Sequence, residues 1–154
     1  MAYNPSANLS RDVVQSDALS IAAQHKRCGL GISMGVGKTR IAIQHLQRNF
    51  NQFIQVLVVV PKHSVTQSWL DELDKMGLYS LVEHITFTTY ISLKKKDPNN
   101  YDIVYLDECH SLKYSHELFL GPYTGKILGL TGTPPRDKQS EKGKLVQKYC
   151  PIKY

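Results

Sequence analysis

The sequence predicts an α/β fold with a mostly parallel central sheet and helices on both of its faces. Three observations favour this fold class. Short apolar runs alternate with helical patterns along the 154 residues, a glycine-rich loop follows the first run, and a later run ends in two carboxylates. Because parallel strands need a crossover between them, this alternation is typical of a parallel sheet covered by helices.

The first third of the chain is predicted to hold a helix, a strand and a second helix. Apolar residues recur at helical spacing after Ser10, on one face of the first predicted helix: Val14, Ala18, Ile21 and Ala22. Residues 28–32 form the first apolar run and are predicted to be a strand. The second helix is expected to begin at Lys38 and to bury three apolar residues: Ile43, Leu46 and Phe50.

A second strand and a third helix are predicted in the middle of the chain. Residues 53–60 are apolar on both faces, as a strand covered by helices on each side must be. Ser64 and Gln67 form a capping-box pattern, which predicts a helix start ahead of Trp69. Gly77 is the expected end of that helix, because glycine readily adopts the left-handed conformation that terminates helices.

The second half adds three strands with less helix, for a total of five strands and four or five helices. These strands are predicted at residues 84–89, 102–106 and 126–130. The polar residues 94–100 are expected to be a solvated surface loop. Residues 1–134 are predicted to form one lobe, and the charged, turn-rich residues 135–154 an exposed excursion or linker.

Composition excludes several classes of protein. Fractions of 42% hydrophobic and 21% charged residues exclude disordered, collagen-like and low-complexity chains. The longest apolar run, residues 56–60, is far shorter than the roughly 20 residues of a membrane helix, so no membrane partner is expected. Three widely spaced cysteines and the lack of a secretion leader predict an intracellular location: the cytoplasm, a host cytoplasm for a viral protein, or a nucleus. The formal charge of +6 permits a polyanionic partner.

A phosphate-binding loop of the Walker A type is predicted between the first strand and the second helix. Its candidate nucleotide contacts are Gly35, Val36, Gly37, Lys38, Thr39 and Arg40. Glycines let the backbone approach a phosphate, Lys38 would reach the β- and γ-phosphates, and the Thr39 hydroxyl would ligate Mg²⁺. The alternative is a glycine-rich turn that caps a helix, since Ile32 stands where the motif has its first glycine.

Two carboxylates follow the strand predicted at residues 102–106. Ligands of open parallel sheets bind at the carboxyl ends of the strands, where Asp107 and Glu108 would lie. Asp107 is predicted to hold Mg²⁺, and Glu108 to orient and deprotonate the attacking water. The alternative is a solvated Asp-Glu turn after a buried strand.

These motifs resemble those of superfamily-two helicases, in the order in which that family has them. Residues 107–110 (Asp-Glu-Cys-His) are similar to the DExH box, and residues 130–134 (Leu-Thr-Gly-Thr-Pro) resemble the third motif. Residues 58–61 are similar to the motif after the phosphate-loop helix, and residues 88–90 to the segment before the acidic box.

Within the superfamily the sequence is most similar to the Swi/Snf-type translocases. This similarity lies in residues 34–39, in Lys113 and in the Leu-Thr-Gly-Thr-Pro sequence of the third motif. Arg11 and Gln15 are placed like the adenine-reading glutamine motif. The resemblance covers residues 9–134, and the tail looks like phage-encoded relatives. Departures occur at Ile32, Ser33 and Cys109, none of which is a phosphate or metal ligand in the family.

The resemblance implies the N-terminal RecA-like ATP-binding lobe of a DNA-dependent ATPase. Such a lobe hydrolyses ATP with Mg²⁺ to move along or remodel nucleic acid, with duplex DNA the favoured partner. The implied catalytic residues are Lys38, Asp107 and Glu108, and the implied γ-phosphate sensor is His110, contacting Thr131 or Thr133. Six residues are implied to contact nucleic acid: Lys62, His63, Ser64, Thr89, Tyr90 and Lys113. A second lobe of the same parent chain would supply the arginine finger, so slow hydrolysis is expected from this chain.

Two other classes of function remain open at this point. A small P-loop phosphotransferase would need an arginine-rich lid and an acceptor pocket, and it leaves the third-motif threonines unexplained. A non-enzymatic, ATP-sensing adaptor would bind nucleotide without hydrolysing it. Glu108→Gln separates the adaptor from the motor, because only the motor would lose an activity.

Overall fold

The computed structural model describes residues 6–33 and 36–154, and a wholly parallel sheet forms the centre of this part of the chain. Its strands are β1 (Arg27–Gly31), β2 (Val56–Val60), β3 (Ile85–Thr89), β4 (Ile103–Asp107) and β5 (Lys126–Thr131). Their order across the sheet is β1-β5-β4-β2-β3. The α/β fold with a parallel sheet is therefore confirmed, and β4 lies at its centre, where its carboxyl end faces neighbouring loops on both sides.

Helices cover both faces of the sheet. They are α1 (Ser6–Gln24), α2 (Lys38–Asn49), α3 (Ser64–Lys75), α4 (Glu117–Leu120) and α5 (Glu141–Tyr149). The helices α1, α2 and α3 pack on one side, termed the first face, and α4 and α5 pack with short 3₁₀ turns on the other, the second face. The first helix begins before Ser10, earlier than predicted. Among the described helices, none is both long and apolar enough to cross a bilayer.

The strand β2 contributes side chains to two hydrophobic cores, one on each face of the sheet. Val56, Val58 and Val60 belong to the first-face core, whereas Leu57 and Val59 belong to the second-face core. Successive side chains of a strand point to opposite faces, so a strand covered on both sides must be apolar throughout. All five residues are fully buried, as the sequence predicts.

The second strand begins at Val56, three residues later than predicted. Asn51 causes this difference, because its carbonyl accepts a bond from Ile54 N (3.1 Å) and its side-chain oxygen one from Phe53 N (2.9 Å). An asparagine turn of this kind takes the segment out of the sheet. Phe50, expected to be buried, is 44% exposed, and Phe53, expected in the strand, is 77% exposed.

The third helix has the predicted position but not the predicted capping box. His63 is the N-cap residue, Ser64 is already helical, and no side chain caps this end. Gln67 instead donates to Asp71 one turn further along, at 2.8 Å. Gly77 ends the helix as predicted, with a left-handed φ of +69°.

The prediction of an exposed segment at residues 135–154 is wrong for its second part. The helix α5 buries three apolar side chains against the second face: Leu145, Val146 and Tyr149. Beyond it, Ile152 pairs with Gly29 of β1 in parallel register. A Cβ on Gly29 would lie 2.4 Å from the Cys150 carbonyl oxygen, so only glycine lets the tail approach. Three exposed lysines in nine residues mask the short apolar stripe in the sequence.

Candidate active site

The loop between β1 and α2 has a left-handed glycine at its end. Gly37, immediately before Lys38, has φ +89° and ψ +50°. A Cβ there would be strained and would lie 2.8 Å from the amide nitrogen of Gln15. That nitrogen donates to the Val36 carbonyl (2.6 Å), which ties α1 to the loop. Gly35 lies outside the described residues.

Lys38 connects this loop to the end of β4. Its ammonium nitrogen lies 3.7 Å from Asp107 Oδ1 and also contacts Glu108 Oε1. Thr39 follows on the first turn of α2 and is half-buried. The structure therefore brings the predicted loop lysine and both predicted carboxylates to one edge of the sheet.

The two oxygens of the Asp107 carboxylate have different surroundings. Asp107 is 2% exposed, and its Oδ2 accepts a bond from the Trp69 indole N–H at 3.0 Å. Its backbone carbonyl accepts a bond from the Tyr90 hydroxyl at 2.7 Å. Oδ1 is buried and has no hydrogen-bond partner among the described residues. A buried carboxylate oxygen without a hydrogen bond, with Thr39 beside Lys38 on the first turn of α2, fits a hard cation such as Mg²⁺.

Glu108 has a backbone conformation that sets it apart from Asp107. Its φ of +55° and ψ of +57° are left-handed, and it is the one residue other than glycine with positive φ in the described part of the chain. That conformation costs a residue with a Cβ about 1–2 kcal/mol. It turns the side chain to a half-buried position, with Oε2 3.4 Å from His110 Nδ1. Such strain is typical of functional sites.

His110 links the acidic box to the third motif. Its Nδ1 lies 2.8 Å from Thr131 Oγ1 and 3.3 Å from Thr133 Oγ1. Burial, together with the positive charges of Lys142 and Lys38, lowers the pKa of His110. The lowered pKa favours the neutral imidazole, which can exchange hydrogen bonds with these hydroxyls without adding charge.

The candidate adenine-side residues Arg11 and Gln15 line a cavity of about 380 Å³ beside the loop, together with Arg40. A neighbouring cavity of about 420 Å³ reaches Thr39. Arg40 is held by an ion pair with Glu72 of α3, Nε to Oε1 at 2.7 Å. Motif spacing gave no signal for Glu72, because the contact spans two helices.

The candidate nucleic-acid residues divide into two groups. Four are exposed at the edge that carries the acidic box: Lys62, His63, Ser64 and Lys113. Thr89 and Tyr90 are each 6% exposed, and their hydroxyls bond within the fold, to Ser92 N and to the Asp107 carbonyl. Their burial leaves little of either side chain for a ligand.

A cleft of about 460 Å³ lies next to these residues on the second-face side. Pro61, Tyr90, Lys113 and His116 line it, and Lys94 of the loop expected to be merely solvated lines it too. His116 was not predicted to lie at a site, and its Nε2 lies 3.0 Å from the Tyr90 carbonyl.

Comparison with known protein families finds one that matches most of this chain. The model of the family described as type III restriction enzyme, res subunit, matches residues 7–136. A protein of African swine fever virus named as an ATP-dependent RNA helicase is 28% identical, and the match covers 84% of this chain and 29% of that protein.

Two solved structures share the fold. T4 UvsW matches with a TM-score of 0.74 at 17% identity, covering 92% of this chain and 33% of that one. The Sulfolobus solfataricus SWI2/SNF2 ATPase core, solved in complex with double-stranded DNA, matches with a TM-score of 0.64 at 19% identity, covering 92% and 35%. The chain spans about a third of the length of these proteins.

Proposed function

The chain belongs to the family of the type III restriction enzyme res subunit, and from this premise we propose that it is the first lobe of a motor that hydrolyses ATP on nucleic acid. The resemblance to superfamily-two helicases in the motifs is confirmed by that membership. The observation that carries the proposal is the convergence of Lys38 on Asp107 and Glu108.

The convergence suits phosphoryl transfer to water, in which the protein positions groups and neutralises charge. Lys38 would leave Glu108 and bind the β- and γ-phosphates of ATP, while Thr39 and Asp107 would hold Mg²⁺. The metal would supply charge neutralisation at the phosphates. Glu108, released from Lys38, would accept the proton of the attacking water. His110 would transmit the state of the γ-phosphate to Thr131, which it already contacts.

Glu108→Gln tests the hydrolytic part of the proposal in single-turnover assays on the whole chain. We expect the variant to keep its affinity for Mg²⁺·ATP within about threefold and to lose at least about tenfold in hydrolysis rate, because general-base catalysis is worth that much or more. Glu83→Gln, an exposed glutamate far from the box in sequence, is the matched control and should behave as wild type. Unchanged hydrolysis in Glu108→Gln would contradict the motor and favour the adaptor.

Duplex DNA is the proposed track, supported by the lysines around the 460 Å³ cleft and by the DNA-bound relative. Phosphate contacts of this kind give affinity without sequence preference. Lys113→Ala should weaken duplex binding by fluorescence anisotropy about equally for all sequences and lower its salt dependence. Lys144→Ala, on α5, is the control. Tighter binding of single-stranded RNA than of duplex DNA would contradict this choice of track.

A second lobe is the proposed partner of this one. An arginine finger is worth about a thousandfold or more in phosphoryl transfer, and closure of a second lobe is how helicases of this superfamily provide it. The chain by itself should therefore bind ATP weakly and turn it over slowly. A turnover that rises strongly when a second lobe is supplied would support this part, and an unchanged turnover would contradict it. The intracellular location stays a prediction.

A further inference from the structure

Trp69 makes a contact that packing alone does not require. It is the single tryptophan of the chain, lies on α3 and has no exposed surface. Its ring packs against Tyr105 and Phe87, with centroids 6.1 and 6.4 Å away. Its N–H points to the end of β4 and donates to Asp107 Oδ2 at 3.0 Å. Packing could be provided by any aromatic ring, but the hydrogen bond needs the indole.

The bond fixes which oxygen of Asp107 remains free. An aspartate carboxylate rotates easily about its last bond, so its two oxygens exchange unless one is held. A bond from N–H to a carboxylate is stronger than one between neutral groups, and here water does not compete. Trp69 holds Oδ2 and Tyr90 holds the backbone, so Oδ1 is the buried oxygen that makes no hydrogen bond among the described residues. The Lys38 ammonium lies 3.7 Å from it.

We propose that Trp69 is a positioning residue that holds the Asp107 carboxylate with Oδ1 toward the cation that accompanies the nucleotide. The inference rests on the proposed function, because it assumes that a metal–nucleotide complex binds at this edge. Residues that orient metal ligands through a hydrogen bond commonly contribute about tenfold or more to metal affinity. Trp69 would therefore act on the metal and not on the nucleotide base.

The single tryptophan makes the wild-type chain its own reporter. We expect Mg²⁺·ADP to shift or quench the Trp69 emission clearly more than ADP in EDTA does. The metal would bind the carboxylate that the indole contacts, whereas ADP alone would only draw Lys38 away from that carboxylate. Identical spectra in the two conditions, with ADP bound in both, would overturn the inference. This measurement needs no variant and so does not depend on how a variant folds.

Trp69→Phe is the complementary test, with Leu73→Val as the matched control. Leu73 is on the same helix and equally buried, and it has no contact with Asp107 among those described. Both changes remove buried volume, but only Trp69→Phe removes the N–H. A fluorescent ADP analogue, titrated with Mg²⁺, should show a half-saturating Mg²⁺ concentration raised roughly tenfold in Trp69→Phe and unchanged in Leu73→Val. Affinity in EDTA should be the same in all three chains.

The possible outcomes distinguish a failure of the Trp69 inference from a failure of the proposed function. Equal Mg²⁺ dependence in Trp69→Phe and Leu73→Val would mean that Trp69 only packs, which overturns the inference and leaves the proposed function standing. Loss of affinity in EDTA as well as in Mg²⁺ would also overturn it, since a damaged fold weakens both. A wild-type chain that does not bind the ADP analogue at all would overturn the proposed function, and the inference with it.

Discussion

The two faces of the sheet are built from different kinds of structure. Helices of 19, 12 and 12 residues cover the first face, whereas helices of four and nine residues and several 3₁₀ turns cover the second. The candidate nucleotide cavities open beside the long helices, and the candidate nucleic-acid cleft lies among the short turns. The two candidate sites therefore adjoin differently built sides of the sheet.

The two faces meet at the end of β4. Asp107 is held from the first face by Trp69 and from the second by Tyr90. Glu108, the next residue, leaves the strand in a left-handed conformation. Because contacts from both sides reach this residue pair, termed the junction, changes on either side can be compared by their effect on it.

The largest effect should come from Lys38→Ala, which acts only on the first-face side. The variant removes the ammonium group that contacts both carboxylates. Loss of a partly buried charge contact to a phosphate costs about 3 kcal/mol, so we expect ATP affinity to fall about a hundredfold by calorimetry or anisotropy.

Duplex binding should separate the two faces in the same variant. Lys38→Ala is expected to change affinity for duplex DNA by less than about twofold. Lys113→Ala, on the second-face side, should weaken duplex binding and leave ATP affinity nearly unchanged. If Lys38→Ala weakened both ligands equally, the assignment of one ligand to each face would be wrong.

The second prediction compares the two histidine–tyrosine pairs. On the first face, buried His45 lies 2.7 Å from the Tyr105 hydroxyl, and burial lowers its pKa to about 4. On the second face, His116 contacts Tyr90 and is partly exposed, and burial lowers its pKa as well. In both pairs the folded state favours the neutral imidazole.

The sign of the pH effect follows from that preference. Between about pH 6.5 and pH 4 the unfolded chain takes up a proton at His45 and the folded chain does not, so stability falls as the pH falls. At about 1.4 kcal/mol per pKa unit the loss approaches about 3 kcal/mol. Urea unfolding at several pH values should show that the free energy of unfolding falls less steeply with falling pH in His45→Gln than in wild type. His116→Gln should alter that pH dependence by a smaller amount. An unaltered slope in His45→Gln would contradict the burial argument.

The contrast between the faces also explains what sequence reasoning could reach. The first-face helices repeat apolar residues over several turns, so α2 and α3 were predicted within a few residues. The motifs at Lys38, Asp107 and Glu108 were predictable because each chemistry requires given residue types at a strand end. The helix α5 was missed because nine residues with three exposed lysines show too little periodicity.

Contacts between distant segments could not be predicted from the sequence, for a different reason. Trp69 is fully buried and donates to Asp107, and nothing in the sequence indicates that contact. Arg40 and Glu72 likewise pair across two helices. Such pairs depend on how elements are rotated against one another, and a single sequence carries no signal for that rotation.

A smaller effect is expected from Tyr90→Phe, which removes the second-face contact with the junction. The hydroxyl that donates to the Asp107 carbonyl is buried, and its burial raises the pKa of Tyr90 well above the usual value, so it stays a donor. Leaving a buried carbonyl without its partner costs about 1–2 kcal/mol. Urea unfolding should show this loss, whereas Tyr79→Phe, at a 52% exposed tyrosine, should show none. Equal stability of the two variants would mean that this contact does not stabilise the junction.

The smallest effect should come from an ion pair far from the junction. Lys148 of α5 lies 2.8 Å from Glu117 of α4 on the outer side of the second face, where both groups are solvated. Water and salt screen such a pair, and holding two long side chains together costs entropy, so exposed pairs contribute little. Lys148→Ala should therefore leave the thermal midpoint nearly unchanged at low salt and indistinguishable from wild type at high salt. A marked loss of stability that persists in high salt would show instead that Lys148 stabilises α5 by packing over Tyr149, whose ring its ammonium approaches to 5.2 Å.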